Sequence, residues 1–408
     1  MLGRKRFIVI VIDSYGVGAM EDVLIDRLED MGTNTVLHVF ESVPDLKLPV
    51  LEKLGLGNAL GYDVSNIRKV ENALWGRAKL AHFGADTFWG HQEIMGTNPL
   101  RPEYQPFSEI LEEVKSVLLE NGHKVDLYGK DGKILVVDDV MTVGDNLETA
   151  PGFNHNVTAA LDLVDFSMVT AVGRLVRSIS RVSRVIAFGG LNVSMEDILG
   201  AYRNPGNLAG VGSAESGVYK NGYKVIHLGY GVDPTTQVIN RFSEAGIKSA
   251  LVGKVADIVD NPGGYVSSTV DTGKCMEELR YLLDEGEYEF ICVNIQETDL
   301  AGHSQDPVGY AEKLKIVDDK LAGILDSLGE EDLLIVTADH GNDPLCGHSQ
   351  HTREEVPLLV YAGNIASGMI GKRESLADIS ATAADFFGTR FPESGKSFLD
   401  KIFKGDFR

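Results

Sequence analysis

The run Phe7-Ile8-Val9-Ile10-Val11-Ile12 is six consecutive apolar residues, mostly β-branched, ended by Asp13. Unbroken apolar character predicts a strand buried on both faces of a parallel sheet. Runs of the same kind recur at Ser249 to Gly253, Phe290 to Ile295, Leu333 to Thr337 and Leu358 to Tyr361. Helical spacing lies between several of them, over Thr236–Ala245, Lys274–Leu283 and Gly309–Leu328. Strand and helix alternating in this way predict an α/β fold with a mostly parallel sheet flanked by helices. The middle of the chain reads differently. A helix is expected from about Phe107 to Glu120. Short strand-like pieces follow at Lys124–Gly129, Lys133–Asp138, Arg184–Phe188 and Tyr223–Leu228, separated by Gly- and Asn-rich turns. Residues 103–229 therefore read as an inserted α+β domain that caps a core built from 1–102 and 230–408.

At 408 residues two domains are the default for the length, and 43% hydrophobic with 24% charged residues is ordinary for a globular chain. Lys and Arg total 38 against 60 for Asp and Glu, a formal charge of −22, so nucleic acid and anionic membranes are excluded as expected partners. A small phosphate ester is not excluded, because bound cations invert a field locally. The three cysteines, Cys275, Cys292 and Cys346, form no disulfide framework, and no apolar stretch approaches a membrane span. A cytoplasmic protein is expected, with its oligomeric state left open.

The chemistry sits where strands end. Asp13 follows the first strand, Asp299 and His303 follow the run at 290–295, and Asp339-His340 end the run at 333–337, with His351 eleven residues beyond that histidine. A lone aspartate after a strand is ordinarily a helix cap. Three strand ends in a parallel sheet share one edge, however, and ligands bind along that edge. Three Asp and three His are enough for two divalent cations with open positions for substrate. The segment Gly84-Ala85-Asp86-Thr87-Phe88-Trp89-Gly90-His91-Gln92-Glu93-Ile94-Met95-Gly96 opens a helix near Asp86. Thr87 there reads as a cap on its own, and as an activated nucleophile if cations stand beside it. Asn342-Asp343 reads as turn chemistry.

These blocks resemble the phosphopentomutase-type members of the alkaline phosphatase superfamily. The resemblance is carried by Val9 to Ser14 with Gly16-Val17-Gly18, Asp86-Thr87 to Gly96, Gly253-Lys254 with Asp257-Ile258, Thr337 to Pro344, and His351-Thr352-Arg353-Glu354 with Val356 to Leu359. It implies two Mn²⁺ ions. Asp13, Asp339 and His340 would hold one together with Thr87, and Asp299, His303 and His351 the other. It implies Thr87 as the phosphoryl carrier of a mutase acting on a small sugar phosphate, pentose phosphate favoured. Lys254 and Arg184 are candidate substrate contacts. The chain departs from the family at Ala85, where a lysine is usual, at Trp89, where a small residue is usual, and at Phe188, where a second arginine is usual. The Asp299-to-His303 spacing is one residue short and is similar to that of cofactor-independent phosphoglycerate mutases. An altered sugar-phosphate pocket is expected from these departures. A phosphatase on the same core and a non-catalytic protein stabilised by metal are the alternatives.

Overall fold

A computed structural model describes residues 5–129, 133–148 and 150–403. The chain divides into two compact units, Met1–Pro99 with Asp233–Arg408, and Leu100–Val232. Among the described residues of the first unit, eight strands form one sheet. From edge to edge they are Tyr265–Ser267, Ser249–Val252, Phe290–Ile295, Phe7–Ile12, Leu333–Thr337, Val356–Ala362, Leu74–Ala78 and Gly368–Arg373. Every residue of Phe7–Ile12 is fully buried, as its continuous apolar run requires. Its neighbours on both sides run parallel to it. Val356–Ala362 is reversed, antiparallel to both Leu333–Thr337 and Leu74–Ala78. An apolar run carries no direction, so the sequence pattern could not supply that reversal.

Register decides where the acids fall. Ile12 is level with Ile295, and Val11 with Thr337. Three strands thus end together, and the next residues of each emerge at one edge. Parallel strands must end on one side, and the buried apolar runs fix how far each one extends.

The second unit carries a six-stranded sheet among its described residues, in the order Lys224–Gly229, Arg184–Gly190, Asn154–Ala160, Met141–Asp145, Ile134–Val137 and Val125–Tyr128. Helices Phe107–Glu120 and Phe166–Ile179 bury Phe107, Ile110, Val114, Val169, Val172 and Val176 with Leu135, Val143, Val157 and Val185. A separate cluster includes Ile186, Phe188, Ile198 and Val218. Asn154–Ala160 escapes the apolar pattern because it opens Asn-His-Asn, yet all seven residues are buried. Its His155 joins Ser180 Oγ at 2.7 Å through Nδ1 and the Gln105 carbonyl at 2.9 Å through Nε2. A carbonyl only accepts, so Nε2 donates and Nδ1 takes the Ser180 proton. Both ring nitrogens are satisfied in the neutral form, and burial pushes the ring's pKa down to about 4.

Below its unfolded pKa near 6.5 the unfolded His155 binds a proton that the folded one refuses. Its share of stability is therefore present above about pH 6.5 and lost as pH falls toward 4. Hydrogen exchange of the Asn154–Ala160 amides, compared between the parent and His155→Gln, measures this. The parent is expected to lose up to ~3 kcal/mol relative to the variant between pH 7.5 and 4. A difference that stays flat with pH contradicts the assignment.

Candidate metal centre

At the shared strand edge the side chains of Asp13, Asp299 and Asp339 converge, all three buried. Oxygens and ring nitrogens of Asp13, Asp339 and His340 lie within 4.8 Å of one another, and so do those of Asp299, His340 and His351. His340 Nε2 stands 3.4 Å from Asp13 Oδ1 and 3.3 Å from Asp339 Oδ2. On the other side, Asp299 Oδ2 is 3.3 Å from His303 Nε2, and Asp299 Oδ1 is 3.3 Å from His351 Nε2. His303 and His351 face each other through these nitrogens at 3.0 Å. The six strand-end residues singled out in the sequence are thus one constellation, with His340 between its two halves.

The ring orientations follow one rule. Nδ1 of His303 meets the Ser349 carbonyl at 2.6 Å, that of His340 the Gly341 carbonyl at 3.0 Å, and that of His351 the Ala85 carbonyl at 3.0 Å. Each backbone oxygen demands a donor, so Nδ1 carries the proton and Nε2 presents a lone pair to the carboxylates. Asp299 raises the pKa of both His303 and His351 against the pull of burial, so positive charge, a proton or a cation, is favoured between these nitrogens. Asp13 Oδ1 and His340 Nε2 are buried and have no hydrogen-bond partner among the described residues. Burial, then the neighbouring Asp339, pushes the Asp13 carboxyl up to about 7. Burial likewise holds His340 down at about 3, neutral as a ligand must be. The donor set, three carboxylates with neutral imidazoles, fits divalent cations.

Lys254 is a cation already at this edge. Its Nζ lies 3.1 Å from Asp13 Oδ2 and 3.5 Å from Asp299 Oδ2. Burial works against its charge, but Asp13, Asp299 and Asp339 outweigh that and raise its pKa above the usual lysine range. Asn294 Nδ2 donates to the same Asp13 oxygen at 3.1 Å. Arg184 begins a strand of the second unit.

Thr87 is the first residue inside the helix Thr87–Ile94, and the cap is Asp86, which accepts from the Trp89 amide at 3.2 Å. The threonine is thereby released from capping. Its Oγ1 donates to Asp339 Oδ2 at 2.6 Å while the side chain keeps partial exposure. Ser14, the other hydroxyl beside a strand-end acid, is fully buried, sits at φ 68° and pairs with Tyr310 Oη at 3.1 Å.

One expectation needs correction, and two departures from the family pattern gain a setting. Trp89 is buried and packs edge-on against Phe88. Phe188 is buried in the second unit and stacks with Tyr219. Asn342 is more than a turn residue, since its Nδ2 donates to Asp299 Oδ1 at 2.9 Å. The sequence reading also passed over His91, one helical turn after Thr87. This fully buried ring touches the Thr87 carbonyl at 2.9 Å and lies 3.3 Å from Asp339 Oδ2. The four-residue spacing from Thr87 was the available signal.

Residues 5–390 match the model of the Metalloenzyme superfamily. The chain belongs to that superfamily, whose alkaline-phosphatase-like members share its α/β architecture. It is 32% identical to the phosphopentomutase of Clostridium beijerinckii, over 98% of this chain and 99% of that one. Identity to the phosphopentomutase of Symbiobacterium thermophilum is also 32%, over 99% and 100% of the two chains. Within the superfamily it is a divergent phosphopentomutase-like member. A solved phosphoglycerate mutase from Leishmania mexicana shares the fold at a TM-score of 0.50 with 13% identity, over 99% of this chain and 98% of that one.

Gly90 lets the Thr87 helix lie on the strand end. A Cβ there would stand 2.5 Å from the Asp339 carbonyl oxygen and 2.7 Å from its Cβ. Gly90→Ala is expected to destabilise the chain by ~1–3 kcal/mol in urea titration. The gain of about 1 kcal/mol that Ala ordinarily brings inside a helix is smaller. A stabilised Gly90→Ala protein contradicts this packing.

Proposed function

We propose that the chain is a metal-dependent phosphomutase that moves a phosphoryl group between two oxygens of a small sugar phosphate, pentose phosphate favoured, through Thr87. The observation that carries the reading is the hydroxyl of the partly exposed Thr87, hydrogen-bonded to Asp339 at the edge where the strand-end acids and histidines meet. The name shared by the relatives supports the same reaction. Two divalent cations, Mn²⁺ by resemblance, fit the donor set. Asp13, Asp339, His340 and Thr87 would hold one, and Asp299, His303 and His351 the other. When bound, such ions neutralise phosphoryl oxygens and lower the pKa of a coordinated hydroxyl.

The residues of the chain do the rest. Asp339 receives the Thr87 proton direction at Oδ2, which leaves the Oγ1 lone pairs free to face a phosphorus atom. The start of the helix Thr87–Ile94 adds backbone N–H groups and the positive end of its dipole. Phospho-Thr87 gives its phosphoryl group to the free oxygen of a sugar monophosphate, and the bisphosphate returns the other phosphoryl group to Thr87. One P–O bond forms and one breaks in each half, and no water is consumed. Lys254 is assigned to the substrate phosphate, its ammonium released once Asp13 and Asp299 serve as ligands. Arg184 is kept as a second substrate contact on the resemblance. Ala85, Trp89 and Phe188 are all buried; pentose phosphate stays the favoured substrate, and an altered pocket is the outcome these three departures make worth testing. Free cysteines, two of them buried, suit a cytoplasmic setting.

Metal content tests the ligands. The purified chain is expected to hold two divalent ions, and Asp339→Ala and His303→Ala should each lose one. Unchanged content in both variants rejects the assignment.

The reaction is tested by interconversion of ribose 1-phosphate and ribose 5-phosphate with Mn²⁺, free phosphate being measured alongside. Isomerisation without phosphate release is expected, with a ~10³-fold or greater loss in Thr87→Val. Rapid phosphate release without isomerisation establishes the hydrolase instead. A phosphoryl label found on Ser14 moves the nucleophile.

A further inference from the structure

Glu354 is a fully buried carboxyl group outside the set of strand-end acids. It accepts hydrogen bonds from the Gly18 amide at 3.1 Å, the Thr35 amide at 3.0 Å, Thr35 Oγ1 at 2.7 Å and Thr352 Oγ1 at 2.7 Å. Both hydroxyls donate to Glu354. Thr35 Oγ1 also accepts from the Asn342 amide at 3.1 Å, and Thr352 Oγ1 from the Asp343 amide at 3.2 Å. Each hydroxyl thus bridges a backbone amide and the Glu354 carboxyl group. Four donors meet the group and favour its carboxylate form, although burial outweighs them and pushes its pKa up to about 7.

Glycines on two sides make the fit close. A Cβ at Gly16 would stand 2.3 Å from a Glu354 oxygen, and one at Gly341 2.5 Å from the other. Gly16 lies in the loop after Asp13, and Gly341 follows Asp339-His340. Backbone bonds between Gly341 and Thr352, 3.0 and 2.7 Å, pin the His351 loop to the same point. From Thr35 the chain of contacts passes to Asn342, whose side chain donates to Asp299. Gly302, one residue before His303, is pressed on Asn342, where a Cβ would meet the Asn342 side chain at 2.6 Å. One carboxylate therefore touches the loops bearing Asp13, His340 and His351, and reaches the helix bearing Asp299 and His303 through a single hydroxyl and a single amide.

We infer that Glu354, through the Thr35 hydroxyl and Asn342, is the positioning residue that sets the two halves of the metal centre against one another. The inference rests on the two-cation reading above. Fixing ligands relative to each other lowers the reorganisation that binding the second ion would need, so affinity for that ion is what the network controls. Glu354 touches no reacting atom and is not a catalytic residue.

The test is a Mn²⁺ titration of the full chain after chelation, on the parent, Thr35→Val and Thr35→Ser, with the melting temperature recorded for each. Valine keeps the shape and removes the hydroxyl, whereas serine keeps the hydroxyl and removes a methyl. Thr35→Val is expected to bind one of the two ions ~10–100-fold more weakly. Thr35→Ser should stay within about threefold of the parent even if its melting temperature falls as far. Thr352→Val against Thr352→Ser repeats the comparison from the other hydroxyl if Thr35→Val does not fold. Two ions bound at parental affinity by the valine variants overturn the inference, and so does an equal loss in serine and valine. A parent chain that never binds two ions fails the two-cation reading itself, which separates the two failures.

Discussion

Three buried carboxylates at one sheet edge are the constraint around which the first unit is arranged. Taking a single ionised carboxylate out of water costs several kcal/mol unless positive charge or donors meet it. Asp13, Asp299 and Asp339 are all buried, and Asp13 is driven toward neutrality by burial and by Asp339. Lys254 supplies one positive charge between two of them. The rest of the donor set consists of histidines whose protons are already committed to backbone carbonyls. Divalent cations balance such a site in charge and in geometry together, which is why metal chemistry accounts for residues that folding alone would penalise.

The surroundings serve that arrangement. Strand register brings the acids level, and the lack of side chains at Gly90 and Gly341 lets backbone approach where a Cβ would collide. Asp86 caps the helix so that the Thr87 hydroxyl is left to Asp339. A nucleophile set by the cap of its own helix and by an acid from a distant strand is held on rigid elements, as group transfer between fixed oxygens requires.

Much of this was legible in the sequence because apolar runs ending in Asp or His have a single economical explanation. Asp13, Asp299, His303, Asp339, His340 and His351 all stand where strand ends meet. Other parts were hidden for physical reasons. The reversed strand Val356–Ala362 looks like its parallel neighbours because direction leaves no mark on an apolar run. Asn154–Ala160 hides a buried strand behind polar residues that are satisfied only in the folded unit. Asn294, Asn342 and His91 have types and spacings that fit turns and helix faces equally well, so only three-dimensional neighbours reveal them. Trp89 and Phe188 stand where the family pattern has a small residue and an arginine, and both are buried in this chain.

The central claim is that one edge of the sheet holds two cations close enough to act on a single phosphoryl group. Electron paramagnetic resonance of the chain loaded with Mn²⁺ examines it without any substrate. The account expects a spin-coupled pair at two Mn²⁺ per chain, reverting to a single-ion spectrum in Asp299→Ala. Two uncoupled six-line signals, or saturation at one Mn²⁺ per chain, would contradict it.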